Sequence, residues 1–191
     1  MQNLQELILA GQTDTAIQEA EAALAQLPAS GFQQVIGKDL LHLQQPLTVF
    51  LNHFYKAMDE EEELDVKAIY VEMNSFTTQY DRWFIHLLAY ESAARRDNLD
   101  WLTDFAGESE KSLTITGYET LQEANKNYMQ SEGYRDDQQR QACELQEYLV
   151  ILRFQELVKH TVAANKGKAP WADVPMFIGA HDFEDLMFII Q

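Results

Sequence analysis

The sequence predicts an all-α fold: a single-domain helical bundle with an irregular acidic segment and a docked C-terminal tail. Three observations predict it. Apolar residues recur at steps of three and four from Leu64 to Arg95, and again from Gln138 to Ala164. A chain of 191 residues with 46% apolar content suits one domain with a full core. Helix punctuation falls between the periodic stretches, as in "TGYE" at 116–119 and "NKGKAPWADVP" at 165–175. The domain divides into an N-terminal helical hairpin over 1–28, a main bundle over 33–164 and a tail over 165–191.

The hairpin is read from "GQTDTAIQEAEAALAQLP", which spaces Gly11, Ala16, Ile17, Ala20, Ala23, Leu24 and Pro28 for a turn, a close helix approach and a stop. This stretch resembles the second helix of a tetratricopeptide repeat, over residues 1–28 only. No second copy follows at the roughly 34-residue period of such repeats. The resemblance implies a helical hairpin packed on the body. Residues 33–58 then form a helical region that Pro46 breaks near Gln44 or opens from its first turn. "DEEEELD" at 59–65 reads as a turn and as the acidic first turn of the next helix, where the dipole favours negative charge.

That next helix, about Leu64 to Arg95, is the expected centre of the bundle, with Ile69, Tyr70, Met73, Phe76, Trp83, Phe84, Leu87 and Leu88 inward. "SLTITG" at 112–117 predicts a short extended segment. Thr116 as N-cap and Glu119 at the third position predict a helix from there to about Met129. A long helix follows over 138–164. The tail "MFIGAHDFEDLMFIIQ" is too apolar to be free and must dock, part of it extended.

Charge is the chain's most unusual property. The net charge is −17, and residues 59–110 hold 14 acids against 4 bases. Such a charge repels nucleic acid and anionic membranes and attracts basic proteins. The single cysteine, Cys143, forms no internal disulfide, the N-terminus lacks a basic leader, and no run approaches the ~18 apolar residues a membrane span needs. A cytoplasmic location is expected.

Chemistry-bearing patterns are sparse. There is no Gly-x-Ser-x-Gly elbow, phosphate loop or Cys–His signature. Cys143 is expected to be structural. Asp39–His42 and Glu156–His160 read as helix-surface pairs, and Arg82, His86 and Tyr90 as a polar border to the core. His181–Asp182 matches the dipeptide of metal-dependent phosphohydrolases without their further ligands. No cofactor and no metal are expected.

In "YESAARRDNLDWLTDF", Glu91 and Arg95 form a helical pair and Arg96 suits a helix C-terminus, whereas the acids beyond have no internal use. Asp97, Asp100, Asp104, Glu108 and Glu110, with Trp101, form the candidate partner surface. Trp101 and Phe105 are expected to pack inward together. The function expected is a non-catalytic acidic binding protein that captures a basic protein partner, on the analogy of bacterial toxin-neutralising immunity proteins. The alternatives are a helical adaptor using the N-terminal hairpin and a metal-dependent hydrolase using His181 and Asp182.

Overall fold

A strand that is covered on both faces shows no alternation, because every side chain meets protein. Residues 68–73 and 84–90 are of this kind, and they form the centre of a six-stranded sheet. The computed structural model describes residues 2–76, 81–92, 100–183 and 186–190. The fold is mixed α/β, which corrects the all-α expectation.

Among the described residues, five α-helices run over Gln2–Leu9 (α1), Thr13–Ala25 (α2), Gln44–Lys56 (α3), Glu119–Gln130 (α4) and Asp137–Asn165 (α5). The strands are Ala68–Met73 (β1), Phe84–Tyr90 (β2), Gly107–Glu108 (β3), Leu113–Thr114 (β4), Met176–Ala180 (β5) and Phe188–Ile190 (β6). The strand order is β3-β2-β1-β5-β6, and β4 also pairs with β2. β1 is antiparallel to β2 and parallel to β5, and β6 returns antiparallel on β5.

The predicted 64–95 helix is therefore two strands and their connection. Its apparent helical stripe arose because both strands are apolar at nearly every position, so steps of three and four could be picked from them. The residues themselves favour strand: Ile69, Val71 and Ile85 are β-branched, and Tyr70 and Tyr90 are aromatic. Ile69, Val71, Met73, Ile85, Leu87 and Ala89 face the helices and join the main core. Tyr70, Leu88 and Tyr90 face the other way and join Phe177 and Met187 in a second, smaller cluster.

The 138–164 expectation holds, since α5 spans Asp137–Asn165 and its middle is buried on all sides. Arg153 on α5 meets Glu21 on α2 and Glu156 one turn on, both at 3.0 Å, which ties the N-terminal hairpin to the body. The tail docks as expected, as β5 and β6, and 113–114 is extended. The capping box forms only in part. Tyr118 occupies the N-cap, while the Glu119 carboxylate reaches back to the Gly117 N–H at 2.9 Å. That backbone hydrogen bond holds the Glu119 pKa below its usual value. Thr116 turns instead to His42, at 3.1 Å.

Candidate functional site

The acidic run 59–65 is not the first turn of a helix. It continues α3 through a π-helical turn over Ala57–Glu61, so its acids stand at the C-terminal end of that helix. Negative charge there opposes the macrodipole. Glu63 closes the turn at φ 55°, a left-handed conformation that glycine adopts most cheaply, and the Leu64 N–H bonds back to the Met58 carbonyl at 2.9 Å. Asp59, Glu60, Glu62, Glu63 and Asp65 are all exposed.

The second acidic stretch reaches the same place from the other face of the sheet. Asp100–Thr103 form a 3-10 turn whose Trp101 lies edge-on to Tyr90 and to Phe177, each 4.7 Å away. The Tyr90 hydroxyl donates to the Leu102 carbonyl at 3.1 Å. Trp101 is thus half-buried and holds this segment on the sheet. Phe105 does not accompany it inward: it is 42% exposed, between exposed Asp104 and Ala106. Asp100, Asp104, Glu108 and Glu110 are exposed. Asp97, Arg95 and Arg96 lie outside the described residues.

β3 joins the two stretches across the edge of the sheet. The Ala106 N–H donates to the Ala89 carbonyl at 2.8 Å, and Glu108 sits opposite Leu88. On the helical side, a Cβ added to Gly107 would run into the Met58 sulfur and lie 3.1 Å from the Leu64 methyl, so β3 packs closely on the side chains of the 57–65 turn. Beside it, the Asp65 N–H donates to the Glu91 carboxylate at 3.3 Å and the Lys67 N–H to the Tyr90 carbonyl at 2.7 Å. Acids some forty residues apart in sequence are gathered around the C-terminal end of β2.

Few cations answer them. Lys56 pairs with Glu60, Lys67 with Asp65, and His86 stands 3.7 Å from Glu108. Among the described residues, Asp59, Glu62, Glu63, Asp104 and Glu110 form no ion pair. The local field reaches Tyr55, whose pKa is raised first by burial and then by Asp59 and Asp65. The sequence reading missed two members of this surface, the 59–65 run and Phe105. The run was visible as charge, but its place beside 100–110 depends on the β2–β3 pairing.

The remaining candidates are scattered. His181 follows β5, with Nδ1 3.3 Å from Glu72 and Nε2 3.9 Å from Asp182. Among the described residues no three His, Cys, Asp or Glu side chains are arranged to hold a metal ion. Asp39 accepts the Leu41 N–H at 2.9 Å, and Glu156 pairs with Arg153. His86 and Tyr90 share a face of β2 and not of a helix, and Arg82, which precedes the strand, bonds Ser112 and Thr114. No helix among the described residues is long and apolar enough to cross a membrane. No family model matches this chain, and no curated protein or solved structure matches it either.

Proposed function

We propose that this protein is a non-catalytic binding protein whose acidic sheet edge captures a basic protein partner, in the manner of a cytoplasmic immunity protein that neutralises a toxin. One observation carries the reading. Acids from 59–65 and 100–110 converge on one edge, and those of the first stretch stand in positions the fold itself penalises: a helix C-terminus and, at Glu63, a left-handed backbone. Features that cost stability locally are commonly functional. Asp100, Asp104, Glu108 and Glu110, joined by Asp59, Glu62 and Glu63, supply the long-range attraction. Phe105 is the exposed apolar group among them, and Trp101 positions the segment. Together they offer an aromatic contact ringed by carboxylates.

Association kinetics with a candidate basic partner protein test the proposal. Carboxylates at the rim of an interface act mainly on the encounter rate, and salt screens them beyond about 8 Å at physiological strength. The on-rate should fall by about tenfold or more between roughly 50 and 500 mM salt. An on-rate constant across that range contradicts the reading.

A further inference from the structure

A second site lies away from the acidic edge, between α4 and α5. A cavity of about 300 Å³ is lined there by Phe76, Tyr128, Tyr134, Arg140, Glu144 and Glu147. Glu147 is buried, at 8% exposure. Its Oε1 receives only the weak Cys143 thiol, at 3.6 Å, and no described residue donates to Oε2. The neighbouring buried amides satisfy each other: Gln146 Nε2 donates to Asn125 Oδ1 at 3.2 Å, and Asn125 Nδ2 to the Leu121 carbonyl at 3.0 Å. Arg140, the one cation among the described residues that line the cavity, is turned to Asp137 at 2.7 Å and to Glu144 at 4.0 Å. The cavity therefore contains a buried carboxylate with aromatic walls, and its guanidinium, that of Arg140, is engaged by Asp137 and Glu144.

We propose that this cavity binds the ammonium group of an organic cation, its nitrogen against the Glu147 carboxylate and its alkyl stem among Phe76, Tyr128 and Tyr134. The rings suit such a group because their faces attract a cation while their bodies cover its methylenes. A hard divalent ion fits less well, since it asks for six or more oxygens and the cavity offers one free carboxylate. An anion is repelled by Glu144 and Glu147. Burial pushes the Glu147 pKa up to about 7, so the carboxylate lacks the compensation that a bound ammonium would supply. Tyr128 is raised to about 12, again by burial first and then by Cys143, Glu147 and Glu144.

Calorimetric titration at pH 8, where Glu147 is ionised, compares n-butylammonium with n-butanol on the full chain. The ammonium should bind about tenfold tighter than the alcohol, the margin of one charge-assisted hydrogen bond. Glu147→Gln keeps the shape and should erase that margin. Tyr134→Ala alters a partly exposed wall and should weaken tetramethylammonium by about threefold. A third ligand, N-acetyl-lysine methylamide, separates the two sources of the group. Binding of butylammonium alone points to a free amine, and equal or tighter binding of the capped lysine points to a protein side chain. Equal binding of ammonium and alcohol, a preference surviving in Glu147→Gln, or no effect of Tyr134→Ala would each overturn the proposal.

Discussion

The N-terminal end of α5 and the C-terminal end of α3 are both acidic, and the fold treats them in opposite ways. At α5, Asp136 accepts the Gln138 and Gln139 N–H groups at 3.0 and 2.9 Å, and Asp137 pairs with Arg140. Every charge there completes the helix that it begins. At α3, Asp59 and Glu60 face the negative end of the dipole, and Glu63 occupies a left-handed position that suits glycine. The same residue type is explained by the fold in one place and opposed by it in the other. Acids of the second kind call for an explanation outside the chain, and the proposed basic partner is that explanation.

One acid on α5, Glu147, breaks this pattern. Glu147 has a folded pKa of about 7 against an ordinary value of 4.5, because burial penalises its charged form. The folded state then binds more protons than the unfolded state between those two values. Stability from this group is present below pH 4.5 and is lost as pH rises through about 7. Glu147→Gln should remove that loss and raise stability by about 3 kcal/mol at pH 8, measured by urea titration. An unchanged pH profile would show that the carboxylate is compensated.

The next largest effect should come from Trp101→Ala, at about 2 kcal/mol. Two edge-on ring contacts are lost, but the side chain is only half-buried. Thermal melts check this, and a neutral result would mean that Trp101 does not hold the acidic segment to the sheet. Asp136→Ala should destabilise by about 1 kcal/mol, through the lost cap. Glu63→Gly should do the reverse and stabilise by up to about 1 kcal/mol, because glycine relieves the left-handed backbone. The opposite signs at the two helix ends are the point of the pair; if both variants destabilise, the comparison between the ends fails.

Much of this architecture was legible in the residues, and the failures have physical causes. α5 was legible because its apolar spacing runs for 29 residues without a breaker. The docked, partly extended tail was legible because "MFIGA" and "MFII" cannot stay in water. β1 and β2 were not, since the second cluster of Tyr70, Tyr90, Phe177 and Trp101 covers the outer face and removes the alternation that marks a half-buried strand. "NSFTTQ" at 74–79, poor in helix formers, was the available signal against a helix through that stretch. The exposed acids of the candidate surface could be named from sequence, but their meeting with 59–65 could not. That meeting follows from the sheet pairing and from a Gly107 packed closely on the Met58 and Leu64 side chains.

On the proposed reading, the location of the acids, and not the total charge, governs capture of a basic partner. The direct test compares two triple variants with the same change in net charge, each binding the same basic protein at low salt. One neutralises the edge (Glu62→Gln, Asp104→Asn, Glu110→Gln) and the other neutralises acids around α4 and the start of α5 (Glu123→Gln, Glu132→Gln, Asp137→Asn). The edge variant should associate about tenfold more slowly, while the control should stay within about twofold of the parent. Equal slowing by both variants would contradict the account, because the attraction would then belong to the whole molecule and not to the edge.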